Sequence, residues 1–540
     1  MHVSDPPSPD PRDGFTAAVA CIEYIQERAV VGDVEKYGPG RGGEFEGAFA
    51  FQSLAYIPAR YIKGHLIESW EVSLDKIVWH VRPGIYWAPT EHQSAWMEAR
   101  ELTADDMVAD MHEYIEGPWG GRFVGYVKGG VSGVYATDRY RLVIELEKYS
   151  PVVQYYFAWE DRPIIAAPEM IVAGAGSWEN QVGTGPFMFD EYIIGSHFSF
   201  TRNPNYWDTT VINGVEYQLP FVDQVLLPII PDLSTRLAAL ATGVIETLGV
   251  APQYFDMLDN AAPEMEMSSY LGGPVGLPIL RYRTDTPPFD DVKVRQACMI
   301  GTDLGRFQEL NSAVGTPLLY FPIVPWAPSY VPLEEMPADV QQLFVYDPEL
   351  AIEMLAEAGY SDGFKTAYRF PTELARYLDE ASMLRDQWAK IGIEVELIAL
   401  DATSFTHEMR SMTTPQGISW EGLLQGNLGD LDPVTGTIMN ATTGGAYNYG
   451  NYYDPEFDEL MDTISMTLDA DAQDILLKEA NLALVRACIY QPLGSIPDRT
   501  YWWPWLKNYY GELSLQDNGS FAAVVTYMWI DEDLKAEMGY

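Results

Sequence analysis

Two carboxylates set two residues apart, Asp430 and Asp432 in the run NLGDLDP, come nearest in this chain to acid–base machinery. A pair of this kind could serve a secreted hydrolase, one acid protonating a leaving group while the other carboxylate works from the opposite side of the bond. Both fall on neighbouring loop positions, where nothing local fixes the separation such a mechanism needs. With 78 acidic residues present, close pairs also arise by chance. The hydrolase reading is therefore the alternative, and no enzymatic activity is expected. No Walker loop, GxSxG elbow, HExxH or EF-hand pattern occurs. Gly40-Arg41-Gly42-Gly43 is a flexible turn with no helical pattern after it, so it is not read as a phosphate cradle. Seven scattered histidines argue against a histidine-rich metal site. Neither a cofactor nor a metal is expected.

Recognition is the better-supplied chemistry. The chain has 15 Trp and 34 Tyr, many in stretches that read as loops, including Trp87, Trp96, Trp119, Trp326, Trp420, Tyr447, Tyr449, Tyr452, Trp502, Trp503 and Trp505. Aromatic rings give rigid, amphipathic contact area and often line ligand clefts. Core and interface packing must account for most of them, leaving a surplus compatible with a cleft.

Charge narrows the partners. The 540 residues carry a net charge of −45. Nucleic acid is excluded, because phosphate binding needs a surplus of Lys and Arg. Docking on anionic lipid is excluded on the same ground. The acidity is read as a solvated surface or, more sharply, as adaptation to high salt, where screening relieves self-repulsion. Three cysteines without a CxxC make no disulfide framework, and Cys298 lies in an apolar helical run that reads as core. No run of 18 apolar residues suggests a membrane span. The start, MHVSDPPSPDPRDGF, is proline- and aspartate-rich and reads as a disordered leader over residues 1–20. It shows no basic and apolar signal-peptide pattern.

The elements that must hold any site begin with Val182–Trp207, VGTGPFMFDEYIIGSHFSFTRNPNYW. Gly183, Gly185 and Pro186 bracket Thr184 in a loop where backbone approaches a neighbour closely. Phe187, Phe189, Ile193 and Ile194 supply apolar strand positions. Residues 197–202 then alternate with the two-residue period of a half-buried strand, and Asn203-Pro204-Asn205 makes a turn. This stretch reads as a structural hairpin. Before it, strands are expected at 76–82 and 142–146, with a turn at Thr137-Asp138. A helix is expected to start at a capping box of Thr103 and Asp106. After it, a buried strand over 221–230, a helix capped by Asp232 and a strand reaching Leu248 suggest an α/β lobe. A lobe boundary is placed near residue 275. Beyond it come a strand over 277–282, a helix through Cys298, and a proline- and aromatic-rich ordered loop over 315–337. Asp347-Pro348 starts a helix. Another is expected from Thr372 to Lys390, with Leu374, Leu378, Ala381, Leu384, Trp388 and Ile391 on one face. Gly392 stops it before a strand at 393–397, which makes a second α/β lobe. Helices from Asp454-Pro455 and over 472–489 follow, and the chain closes on a strand-like 522–530.

Several of these segments also resemble a known family. GTGPF followed by a hairpin and RNPNYW is similar to the signature of extracytoplasmic solute-binding proteins of the dipeptide/oligopeptide class, which feed ABC importers. LIESWEVS, WHVRPGIYW, ARELTADDMVADMHEYI, YDPELAIEMLAEAGYSDGF and the final WID match further segments in the same order. PPFDDVKVRQACMIGTD resembles the family's most recognisable motif, with Asp303 present but Leu304 and Gly305 before Arg306. The likeness covers most of residues 60–530 and weakens over the first sixty.

The resemblance implies a two-lobed α/β fold of the periplasmic-binding-protein type, with an extra subdomain in lobe I and a ligand cleft between lobes joined by a hinge. Lobe I would comprise 21–275 and a return over 501–540, and lobe II 276–500. The function implied is capture of a small peptide by lobe closure and delivery to importer membrane subunits, by an extracytoplasmic, monomeric protein. Oligosaccharide is the alternative ligand within the family. Its peptide binders hold the ligand's amino group with an aspartate just before a DP dipeptide. Here the DP is Asp432-Pro433, the usual position falls on Gly429, and Asp430 stands one place later. Trp420, Asn427, Asp430, Tyr447, Asn448 and Trp502 are the candidate ligand-binding residues.

Overall fold

The computed structural model describes the chain except residues 1–8, 11–20, 41–50, 53–56, 58, 119, 160–163, 272–276, 313–326, 373, 411–419, 429–431, 495 and 516–520. Nearly all of the expected leader, and the 315–326 part of the expected aromatic loop, lie outside the described residues. The chain divides into two compact units, the first comprising Met1–Tyr270 with Asp498–Tyr540 and the second Leu271–Pro497. Among the described residues no helix is long and apolar enough to cross a membrane.

In the first unit, strands Ile67–Val72, Lys76–Val81, Arg141–Glu145 and Val134–Asp138 form an antiparallel sheet in that order. Trp79 is fully buried on it. The helix Ala104–Glu116 packs against the sheet and starts where expected. The Asp106 carboxylate accepts from the Thr103 backbone N–H at 2.9 Å and from its hydroxyl at 3.1 Å. The expected turn at Thr137-Asp138 is instead the end of the strand Val134–Asp138.

Phe187–Ile193 and His197–Arg202 pair as the expected hairpin. Phe187, Phe198 and Phe200 enter a core with Tyr24 and Trp178, but Ile193 and Ile194 are exposed. They sit at the hairpin tip, beyond the reach of that core. The expected buried strand over 221–230 is shorter, Gln224–Pro228, and lies at a sheet edge with Leu226 exposed. Asp232 caps the next helix, Leu233–Ala241, as expected. The strand–helix–strand unit read there does not form one sheet, however. Gln224–Pro228 pairs with His197–Arg202, whereas Thr247–Val250 pairs antiparallel with Pro497–Trp502 from the end of the chain. A partner arriving from more than two hundred residues away has no local sequence signal. The strand-like 522–530 is a short helix, Ala522–Val525, followed by the two-residue strand Trp529–Ile530. Short apolar runs do not separate helix from strand by periodicity.

The second unit is built on a five-stranded mixed sheet in the order Ile393–Leu400, Phe364–Pro371, Leu423–Leu428, Leu277–Tyr282, Tyr490–Pro492. Phe364–Pro371, the helix Ala375–Trp388 and Ile393–Leu400 make a parallel crossover, the α/β unit expected here. Gly392, at φ 87°, turns the chain between helix and strand. Glu394 and Glu396 on this strand are exposed. The helix's buried face is rotated from the expected stripe. Ala381, Leu384 and Trp388 are buried, but Leu374 and Leu378 are exposed, and Tyr377 and Glu380 take the inward positions. A buried glutamate breaks the apolar pattern that the reading followed. Cys298 is in the core, as expected.

Candidate functional site

Two polar clusters stand out, one in each unit, and only the first is built by a motif singled out above. In the first unit, Thr184, Tyr206 and Trp207 converge on Glu27, which is buried. The Glu27 carboxylate accepts from the Thr184 hydroxyl at 2.8 Å, the Tyr206 hydroxyl at 2.7 Å and the Trp207 indole N–H at 3.2 Å. His65 Nε2 stands 2.6 Å from it. Gly183 and Gly185 are there for approach: a Cβ on either would meet the Ile25 carbonyl oxygen at 1.9 or 2.4 Å. Gly185 N–H and Phe187 N–H bond the Ile25 and Tyr24 carbonyls at 2.8 and 3.0 Å. The cavity beside Glu27 holds only about 30 Å³, room for about one water. With both oxygens occupied and no space beside them, this carboxylate ties the hairpin to the segment 23–28 and has no room for a solute.

A wider depression of about 840 Å³ in the same unit is bordered by Tyr86, Glu179 and Asp190. Two of its acids already serve local hydroxyls, Glu179 with Ser177 and Asp190 with Ser199.

The second unit contains a cavity of about 310 Å³ lined by Arg281, Tyr377, Phe405, Gln425, Asn427, Asn440, Tyr447 and Tyr449, among others. Three adjacent strands and the helix after Pro371 supply its walls, so most of it stands on rigid elements. Arg281 Nη2 donates to the Asn427 carbonyl at 3.2 Å. Asn427 Nδ2 donates to the Tyr377 hydroxyl at 3.2 Å. Gln425 Nε2 donates to Glu380 at 3.2 Å, and the Gln425 oxygen accepts from the Tyr368 hydroxyl. Asn311 also donates to Glu380, at 3.3 Å. Burial pushes the Glu380 carboxyl up to about 7, against the pull of Arg376. Burial likewise pushes the Tyr490 phenol up to about 12, with Arg281 opposing.

Of the six candidate residues, Asn427 and Tyr447 line this cavity. Asn448 does not; its amide braces the loop by donating to the Thr442 and Tyr452 carbonyls at 3.0 and 2.8 Å. Trp420 is fully buried, with the Arg283 guanidinium 5.7 Å from its ring centre and bonded to its carbonyl at 2.6 Å. Trp502 belongs to the first unit and is buried edge-on to Tyr509 at 5.0 Å. Asp430 lies outside the described residues, as does Gly429. Asp432 accepts from the Thr435 N–H at 2.5 Å at the start of the helix Thr435–Ala441, and burial raises its carboxyl. A carboxylate committed to backbone is poorly placed for hydrolysis. Arg281, Tyr377 and Gln425 were not singled out by sequence. The signal for Arg281 was a charge inside the apolar strand run LPILRY; the other two had none.

Comparison with known proteins places these features in a family. Residues 62–446 match the model described as bacterial extracellular solute-binding proteins, family 5 middle. The chain is similar to the heme-binding protein A of Haemophilus influenzae, 25% identical and covering 80% of this chain and 79% of that protein. It is similar to the dipeptide-binding protein of Escherichia coli, 26% identical with 78% of each covered. Its fold matches the ABC transporter-associated periplasmic binding protein DppA from Helicobacter pylori in complex with peptide STSA. That match has a TM-score of 0.70 at 18% identity, over 98% of this chain and 97% of that one.

Proposed function

Because the chain belongs to the bacterial extracellular solute-binding proteins of family 5, we propose that it captures a short peptide outside the cytoplasmic membrane and hands it, unaltered, to the membrane subunits of an ABC importer. The observation that carries the ligand class is the second-unit cavity, walled by tyrosines, one arginine and amide side chains. An oligosaccharide site would draw on tryptophan faces for stacking, but Trp420, Trp502, Trp503 and Trp505 are all buried, and Trp503 stacks on Trp505 at 4.5 Å. The dipeptide-binding relative and the peptide-bound structural neighbour support the same class. Asn427 and Tyr447 would contact the ligand, and Asp430 would pair with its ammonium group, a charge-assisted contact. The chain crosses between units twice, which supports a hinge motion on capture. The protein would work as a monomer.

A thermal-shift screen over di- to pentapeptides and matched oligosaccharides tests this. A ligand at ~100 times its dissociation constant adds about 2.7 kcal/mol. Stabilisation by peptides and not by sugars is expected; the reverse would replace peptide by oligosaccharide. Asp430→Ala should weaken peptides with a free amino group more than their N-acetylated forms.

A further inference from the structure

Behind the wall of the second-unit cavity lies an acid with no exposure at all. Glu380 is 0% exposed on the helix Ala375–Trp388. Its Oε2 accepts from Gln425 Nε2 at 3.2 Å and its Oε1 from Asn311 Nδ2 at 3.3 Å. On its own helix the charged neighbours are Arg376, whose Nη1 stands 4.0 Å away, too far for a hydrogen bond, and Asp379. Tyr377 shares that helix, and Tyr368 faces it from the strand Phe364–Pro371. The strand Ile393–Leu400, also packed on the helix, carries Glu394 and Glu396, both exposed. The strand Leu423–Leu428 and the end of the helix Leu304–Leu310 meet Glu380 with the neutral amides of Gln425 and Asn311.

The two amides differ in freedom. Asn311 spends its N–H groups on Glu380 and on the Leu493 carbonyl, the latter at 3.1 Å. Turning it over would set its oxygen against that carbonyl. Gln425 has no such anchor. Its oxygen accepts from the Tyr368 hydroxyl, a group that can donate or accept. An ionised carboxylate only accepts, so it holds the Gln425 N–H toward itself. A protonated one has an O–H to place, and a buried O–H without an acceptor is costly. Asn311 cannot take it. Gln425 can, by rotating its amide until its oxygen meets Glu380 and its N–H meets the Tyr368 oxygen. Because Gln425 lines the cavity, that rotation exchanges donor and acceptor on the cavity wall.

We infer that Glu380 is a positioning residue for this cavity: its proton sets which way the Gln425 amide faces, and so which hydrogen-bonding group the wall offers a solute. The effect on affinity rests on the solute-binding reading. The amide rotation stands or falls without a ligand.

Side-chain amide NMR spectra of the isotopically labelled full chain, recorded without ligand from pH ~5.5 to ~8.5, test the rotation. One glutamine amide pair, missing from the spectrum of Gln425→Leu, should move with a midpoint of about 7, the value to which burial raises Glu380. Glu380→Gln imitates the protonated acid, offering an N–H to Gln425 and an oxygen to Asn311. It should hold that pair at its low-pH position throughout. Absence of any titrating glutamine pair in the unmodified protein would overturn the inference, as would a pair that still titrates in Glu380→Gln. Calorimetry with trialanine at the two ends of the range tests the consequence. Affinity should differ by about threefold or more, and Glu380→Gln should remove that difference. Equal affinity at both ends would overturn the role at the cavity wall. If the pair titrates and trialanine binds at neither end, the rotation stands and the peptide reading fails.

Discussion

Each unit buries a charged side chain beneath a family motif or beside a cavity, and the two are treated in opposite ways. Glu27 in the first unit is surrounded by Thr184, Tyr206, Trp207 and His65, with space for little else. Arg281 in the second unit keeps an unpartnered Nε beside a cavity of about 310 Å³. A saturated network fixes one arrangement of backbone, whereas an unsaturated one is costly until something else completes it. Motif strength and ligand chemistry therefore separate here. The stretch that stands out in the sequence holds the fold, and an inconspicuous arginine faces the cavity.

The contrast predicts a graded set of losses. Glu27→Ala strands four donors in a buried site and should cost about 3–5 kcal/mol in urea denaturation. A loss under about 1 kcal/mol would show that the cluster does not hold the hairpin. Glu380 comes next. Its folded value of about 7 stands above the ordinary 4.5, so the folded state holds its proton longer than the unfolded chain does. Its contribution is complete below pH about 4.5 and is lost as pH rises through about 7. The change amounts to about 3 kcal/mol. Glu380→Gln should flatten that slope, and an unchanged slope would remove Glu380 as its source. Asp432→Ala should cost about 1 kcal/mol, the ordinary value of one hydrogen bond such as that from the Thr435 N–H, and should expose no lost turnover by mass spectrometry. Arg281→Gln should change unliganded stability least, by under about 1 kcal/mol and in either direction, because the buried charge being removed makes no ion pair among the described residues. A loss of several kcal/mol would make Arg281 a structural residue like Glu27.

Much of the architecture was legible because its signals are local. Asp232, Asp347 and Asp454 cap helices where the sequence places them, and Gly392 turns the chain after helical spacing ends. The helix and the strand after it follow from helix–strand alternation, but the strand Phe364–Pro371 that opens the crossover was not read. What escaped reading depends on distant partners. The pairing of Thr247–Val250 with Pro497–Trp502 joins segments far apart in the chain. The inward turn of Glu380 needs Asn311 and Gln425 from elsewhere. The aromatic surplus pointed to recognition, but the tryptophans chosen from it, Trp420 and Trp502, are buried. Tyr447, from the same list of loop aromatics, and Asn427 do line the cavity, whereas Arg281 was passed over as one charge in an apolar strand.

Isothermal titration with a free-acid tripeptide, followed by mass spectrometry of the recovered ligand, tests the central claim most directly. Binding at one ligand per chain with the peptide recovered intact is the predicted result. Recovery of cleaved peptide, or no heat from any peptide in the panel, would contradict it.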